Sequence, residues 1–361
     1  MKVFVCRPSE LNTAEIERWR SFQRSSNALG SPFLTPEFAI VMSALRPDAQ
    51  VALLNDGDRV TGYFMFERNR LGIGRAFCYG LSDAQGVVHA PEYEWSGAKL
   101  LEACNLAVWE FDHLISDQVR CFAPQVSALR YSPIVDLSGG WDNWISRKQS
   151  TKRIKKVWEH ERKLVRELGA PRFEIDSRNV AHLELLMRWK SAQYRRTGRR
   201  DRFAEKWLAE AVRKLFDTRT DGFSAQLSVM FVRDRPASLH LSLQSKDVLA
   251  GWFPAYDIGL RSYGVGVIHQ LHLLKNAADS GIRFFDCGAG EESYKQTFSD
   301  FEVSVARGSL SRVGAVALAR RMQTAPKRLV VNLVLRHPLL RKAARRTLKL
   351  LGRVRSRLWT E

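Results

Sequence analysis

Short apolar runs separated by turn residues make up most of the chain, with a few stretches at helical spacing. Val51–Asn55 and Val60–Glu67 are apolar runs on either side of Asp56-Gly57-Asp58. Asp and Gly tolerate the positive φ of a tight turn, so this segment predicts a β-hairpin. Ser96–Glu110 sets Leu100, Leu101, Cys104 and Val108 on one face and predicts a helix. Leu114-Ile115 and Ile134-Val135 predict only short buried strands. Over 146–168, nine Lys and Arg side chains surround an apolar stripe of Ile154, Val157, Leu164 and Leu168. That pattern predicts one long basic helix, terminated by Gly169, connecting two halves.

In the second half, Phe223–Arg233, Ala237–Gln244 and Val248–Ala255 are strand-like and are joined by Asp234-Arg235-Pro236 and Lys246-Asp247. They predict an antiparallel meander. A glycine-rich turn, Arg261-Ser262-Tyr263-Gly264-Val265-Gly266, leads into a predicted helix over Val267–Asp279, closed by Gly281, and then a buried strand over Ile282–Cys287. Glu291-Glu292-Ser293 opens a short helix through Phe298, and Glu302–Ala306 is a last strand. Beyond Pro338, Leu340, Ala344, Leu348, Leu351, Val354 and Leu358 recur at helical spacing among arginines and lysines, the pattern of a basic amphipathic helix. Tandem motifs reveal no internal repeat, although both halves begin with a hairpin-rich segment.

Composition adds location and partners. The 361 residues are 45% hydrophobic and 26% charged, ample for one large core or two ordinary ones. Of the net charge of +19, the segment 311–361 carries 13, because its fourteen Lys and Arg residues face Glu361 alone. Such a balance predicts a polyanionic partner, an anionic membrane surface or a phosphorylated cofactor. Cys6, Cys78, Cys104, Cys121 and Cys287 are odd in number and never in CxxC spacing, which argues against a disulfide framework and a thiolate zinc site. A reducing cytoplasm fits them. The apolar run at Val3–Cys6 is too short for a signal-peptide core, and no run approaches the roughly 18 residues of a membrane span.

The strand–turn–helix unit at 261–267 carries the most specific chemistry. Unpaired N–H groups at a helix start, together with the helix dipole, form an anion site. Gly264 and Gly266 let a diphosphate approach, and Arg261 adds a cation. No Walker loop occurs, and a dinucleotide fingerprint needs a longer glycine series. A tight turn into a packed helix is the competing reading.

The turn resembles the [R/Q]xxGx[G/A] diphosphate loop of GNAT acyltransferases. The longer string Phe253-Pro254-Ala255-Tyr256-Asp257, Tyr263–Gly266 and Phe285-Asp286-Cys287-Gly288-Ala289-Gly290 with Tyr294-Lys295 resembles the BioF2-like branch of that superfamily. So do Lys190–Phe203 and Gly80-Leu81-Ser82-Asp83, which extends the resemblance over roughly residues 30 to 305. The chain departs from the branch at Tyr263-Gly264-Val265, where Ser-Pro-Gly is common, and at Asp286-Cys287-Gly288, where Asp-Phe-Gly is common.

The resemblance implies an α/β (α+β) fold of two GNAT-like mixed-sheet halves plus a basic helical tail. The expected divisions are 1–145, a connector helix at 146–170, the acyltransferase half at 171–310 and the tail at 311–361. It implies acyl transfer from acetyl-CoA or a longer acyl-CoA to a sugar or lipid-linked glycan precursor of envelope polysaccharide, without a metal. Arg261, Tyr263, Gly264, Val265, Gly266 and Val267 would hold the donor. Tyr294 is the candidate general acid, and Asp286, Glu291 and His240 are candidate bases, His240 sharing a strand face with Ser238 and Ser242. Exposure of His240 on an edge strand and dipole stabilisation of Glu291 are the competing readings. Lys190, Gln193, Tyr194, Asp201, Tyr256, Asp257 and Lys295 would bind the acceptor, with Arg199 near its sugar or phosphate. His269 and His272 stand at i, i+3 without a third ligand in sequence reach. The tail reads as an anchor to the anionic inner membrane of a cytoplasmic protein. Two alternatives stand beside this reading: an aminoacyl-tRNA-dependent transferase like the related Fem family, and a non-catalytic scaffold.

Overall fold

In the computed structural model, which describes residues 2–290 and 295–323, the strands join one continuous mixed sheet. The first half comprises β1 (Lys2–Cys6), α1 (Thr13–Arg24), α2 (Pro36–Ser43), β2 (Ala49–Asp56), β3 (Arg59–Arg68), β4 (Ile73–Ala76), β5 (Val87–His89), α3 (Gly97–Ala103), β6 (Val108–Ile115), α4 (Val119–Phe122) and β7 (Gln125–Asp136). Two helices follow, α5 (Gly140–Lys148) and α6 (Lys152–Leu168). The second half comprises β8 (Arg172–Glu174), α7 (Val180–Arg196), α8 (Lys206–Asp217), β9 (Arg219–Thr220), β10 (Phe223–Val232), β11 (Arg235–Gln244), β12 (Val248–Tyr256), α9 (Val265–Asp279), β13 (Phe284–Asp286), α10 (Lys295–Phe298) and β14 (Phe301–Ser311).

The halves repeat one topology: a strand, two helices, an antiparallel meander, a helix, a strand parallel to the last of the meander, a short helix and a final long strand. Thus β6 runs parallel to β4 as β13 does to β12. The final strands are exchanged. β14 lies beside β6, β7 lies beside β13, and β7 and β14 pair antiparallel at the centre of the sheet. Helices α1, α2, α7 and α8 share one apolar core on one face, which includes Trp19, Phe38, Leu186 and Leu215. On the other face α3 and α4 cover the first half, through Leu100 and Phe122, and α5, α6 and α9 cover the second, through Trp144, Ile154 and Ile268. No helix among the described residues is long and apolar enough to cross a membrane.

The meander over β10–β12 and the hairpin turning at Gly57 (φ +60°) stand where the pattern places them. Three expectations change. The helix predicted over Ser96–Glu110 ends at Ala103, because Asn105 takes φ +51° and Val108 onward pairs with β4 and β14. The single basic helix over 146–168 is two helices, since Thr151 starts a new one by accepting the Ile154 N–H at 3.4 Å. Leu114-Ile115 and Ile134-Val135 belong to strands of eight and twelve residues, which only a partner from the far end of the chain completes.

The exchange depends on close backbone approach at Gly308. A Cβ there would collide with the Gln125 carbonyl and lie 3.0 Å from the Phe111 ring. Gly308→Ala is expected to cost about 1–3 kcal/mol, typical of overpacking, and Gly314→Ala, with nothing within 4 Å, nearly nothing. Denaturant melts of both variants check this, and equal midpoints would refute the role of the exchange.

Candidate functional site

Parallel pairing between β12 and β13 covers only Val248–Phe284, Leu249–Phe285 and Ala250–Asp286. Beyond it β12 bulges: Leu241 faces Phe253 and Ser242 faces Gly251, so Trp252 is the extra residue. A bulge re-aims the strand and increases its twist. The Trp252 indole N–H donates to the Leu81 carbonyl at 3.0 Å and ties the bulge to the first half. The equivalent gap in the first half is closed. Gln85 bridges to Leu114, exchanging backbone hydrogen bonds of 2.9 and 3.0 Å with His113 and Ile115, and its side chain bonds Asp112.

The open gap holds a cavity of about 230 Å³ between the halves. Gly80, Leu81 and Asp83 come from the first half, Lys190 and Tyr194 from α7, Arg199 and Arg202 from the loop after it. His240, Gly251–Pro254, Gln270, Phe285, Cys287–Ala289 and Lys295 form the floor and far wall. Lys190 donates to the Pro254 carbonyl at 2.9 Å and lies 5.5 Å from the Tyr194 ring centre. Lys295 donates to the Gly288 carbonyl at 2.9 Å. Gly288, at φ +73°, leaves room for Asp83, whose Oδ2 would lie 2.8 Å from a Cβ.

Burial sets the electrostatics. It pushes the Asp83 carboxyl up to about 6, with His113 opposing and Asp286 reinforcing. His113 Nε2 is 3.8 Å from Asp83 Oδ1. Burial also raises Asp286, although Ser132 and the Gly288 N–H both donate to it. His240 is pushed down to about 3, by burial first and then by the charge of Lys190, so its imidazole is neutral. Its Nε2 and the Gln270 Nε2 are buried without a hydrogen-bond partner among the described residues. Both residues line the cavity, and an unpaired buried polar atom is costly unless a ligand satisfies it.

The structure therefore brings His240, Lys190, Tyr194 and Lys295 together, with Asp286 bonded behind them. Strand β11 is central rather than an edge, so the polar face of Ser238, His240 and Ser242 is buried. Asp201 serves its own loop, accepting from Ser191 Oγ and the Phe203 N–H. Gln193, Tyr256 and Asp257 line a separate cavity of about 100 Å³ with Trp189 and Arg196. Glu291 and Tyr294 lie outside the described residues, as does the tail beyond residue 323. His269 is held between Ser228 and Ser238 at 2.7 and 3.0 Å, while His272 pairs with Glu161 at 2.7 Å.

The donor-loop candidates lie apart from this cavity. Ile258–Tyr263 form a 3-10 turn, and α9 starts at Val265, two residues earlier than predicted, because Gly264 at φ +66° supplies the left-handed cap. Helix α6 backs the loop. The His160 ring would lie 2.9 Å from a Cβ on Gly264, and the Tyr263 O–H donates to Glu167 at 3.0 Å. Gly266 stays open, its nearest neighbour being Tyr256 at 3.5 Å from a Cβ. Arg261 and Val267 flank this start of the helix.

Sequence reasoning assigned no role to Asp83, Arg202, Gln270 or Ser132. Two resembling segments, Gly80-Leu81-Ser82-Asp83 and Lys190–Phe203, contain Asp83 and Arg202 and are the available signal for them. Gln270 looks like an ordinary helix residue until α9 is seen to press it against β11.

A parallel strand pair splayed over a bulge, with a glycine-capped helix between its strands, is the core of this α/β fold. Residues 151–296 match the family described as "Acetyltransferase (GNAT) domain". Among solved structures, FemX is similar over 89% of this chain and 99% of its own, at 12% identity and a TM-score of 0.60. The C-terminal domain of a putative lysylphosphatidylglycerol synthetase from Agrobacterium fabrum is similar over 87% and 97%, at 11% identity and a TM-score of 0.54. A protein of unknown function from Bacteroides thetaiotaomicron is similar over 84% and 98%, at 9% identity and a TM-score of 0.53. These likenesses show the fold. No curated protein matches the chain.

Asp83 carries a stability consequence. Its folded pKa of about 6 lies above the ordinary 3.8, so the fold binds this proton more tightly than the unfolded chain does. Its contribution is full below about pH 4 and is lost as pH rises through about 6. Asp83→Asn, which mimics the protonated form, is expected to match wild type in Tm at pH 4 and exceed it at pH 8. Equal Tm values at pH 8 would refute the burial argument.

Proposed function

We propose that the chain is an acyl-CoA-dependent N- or O-acyltransferase whose acceptor is a sugar or lipid-linked precursor of envelope polysaccharide. The observation that carries this reading is the open gap between β12 and β13, walled by an acid of raised pKa. Past Ala250 the edge of β12 toward β13 has no strand partner among the described residues, and backbone donors on such an edge suit an acyl oxygen that gains negative charge. The donor supplies the activated thioester carbonyl. The acceptor nitrogen or oxygen bonds to the acyl carbon and the C–S bond breaks; the proton lost by the acceptor passes to Asp83, and the departing sulfur takes a proton from Tyr294, which Asp83 then reprotonates. A base is most effective with a pKa near the working pH, which favours Asp83 over His240. His240 and Gln270 then hydrogen-bond the bound reactants. Residues 261–267 hold the donor diphosphate, as the resemblance implies, and Tyr294 remains the candidate acid.

One observation favours a second reading, an aminoacyl-tRNA donor: Lys152, Lys155, Lys156, Arg162 and Arg166 are exposed along α6. Salt-sensitive tRNA binding that survives removal of residues 312–361 supports it. The tail itself we assign to an anionic inner-membrane surface, at about 1 kcal/mol per cation near the leaflet.

Two outcomes are expected of the acyl-CoA reading. Acetyl-CoA or a longer acyl-CoA raises the Tm of wild type saturably and leaves Gly266→Trp unmoved; no shift in folded wild type sinks the reading. In turnover, kcat/KM rises with pH to a plateau above about 6 as Asp83 ionises, and Asp83→Asn loses about 10²- to 10⁴-fold. A flat profile between pH 5 and 8 would remove Asp83 from the role of base.

A further inference from the structure

The cavity is charged unevenly, and its charges specify more than an acyl acceptor in general. Asp83 and Asp286 lie together near Lys295, while Lys190, Tyr194, Arg199 and Arg202 form the wall supplied by α7 and its following loop. Arg202 is half-buried and makes no ion pair with a carboxylate among the described residues. Its guanidinium rests where Gly80 lacks a side chain: a Cβ on Gly80 would lie 2.9 Å from Arg202 Nη2, and Gly80 itself takes φ +79°. The charges of Arg202 and Arg199 both reach the Tyr194 phenol. A guanidinium presented to a recessed polar cavity is suited to bidentate binding of a phosphate or carboxylate. The buried, unpartnered Nε2 atoms of His240 and Gln270 in the same cavity are a second sign that a polar ligand completes it.

We propose that the acceptor is an amine bearing an anionic group, phosphate or carboxylate, which Arg202 holds while the amine faces Asp83. This rests on the acyltransferase reading and narrows its substrate class. Arg202 is a positioning residue: it fixes the acceptor and takes no part in bond making. An uncharged amino sugar would leave the guanidinium without a counter-charge, so the anion acts chiefly through KM.

Three acceptors that differ only at C6 test the proposal with saturating acetyl-CoA: glucosamine, glucosamine 6-phosphate and 2-amino-2-deoxyglucuronate. CoA release is expected to show a KM at least tenfold lower for one or both anionic sugars than for glucosamine, and the preferred one identifies the anion. Arg202→Ala is expected to erase that ratio and Arg202→Lys to keep part of it. Equal KM values in wild type, or a ratio that survives Arg202→Ala, would overturn the proposal. A second readout needs no turnover: inorganic phosphate is expected to raise the Tm of wild type but not of Arg202→Ala. If none of the sugars reacts, absence of that shift also overturns the proposal. Failure of acetyl-CoA to bind, with the phosphate shift intact, would instead sink the acyltransferase reading and leave the anion site standing.

Discussion

Everything at the candidate site follows from where β13 finds its second partner. The strand pairs with β12 on one side and β7 on the other, and the β7 side wins beyond Asp286. There the Cys287 N–H donates to the Pro133 carbonyl at 3.0 Å, and Ser132 reaches the Asp286 carboxylate. Held by β7, β13 peels away from β12 after three pairs, while the Trp252 bulge turns β12 the other way. β7 is itself fixed by β14, from the opposite end of the chain. The strand exchange therefore joins the halves and also holds the gap open.

An open gap in a protein interior must be lined, and the lining here is polar at a cost. A carboxyl at a pKa of about 6 and a histidine at about 3 both report charges the fold disfavours. The Nε2 atoms of His240 and Gln270 gain nothing from the protein around them. A chain selected for stability alone would fill such a space with apolar side chains, as it does a short distance away, where Trp252 packs against Phe33, Phe38 and Phe253. The penalty is concentrated on the residues that can exchange protons or hydrogen-bond a ligand, the usual association of strain with function.

The sequence makes local structure legible and long-range structure much less so. The meander and the hairpin at Gly57 rest on neighbours in the chain, and turn chemistry is enough to place them; the glycine turn likewise announces α9, whose start it misses by two residues. The lengths of β6 and β7 rest on β14, about 170 to 200 residues away, and no local pattern signals that partner. The same limit divides the site. Lys190, Tyr194, His240 and Lys295 are visible beside motifs of the second half, whereas Asp83 enters the cavity only because Leu81 receives the Trp252 indole. Gly80 looks like a turn residue; its second use, making room for Arg202, appears only in three dimensions.

Among the described residues, the repeat leaves the gap open in one half and closes it in the other. Each half has the parallel pair and the intervening helix, so each has a place where a gap opens. In the first half Gln85 occupies that place with backbone and side chain together, and α3 starts at Gly97, where a Cβ would lie 2.7 Å from Phe122 Cα. In that half both the gap and the helix start are covered by its own residues. Its neighbouring loop is thereby free to serve the other half, and it does so with Gly80, Leu81 and Asp83. The topological copy has become a wall, and that division of labour requires the two halves to fold as one unit. A gap whose buried carboxyl comes from one half and whose floor comes from the other exists only when both are assembled.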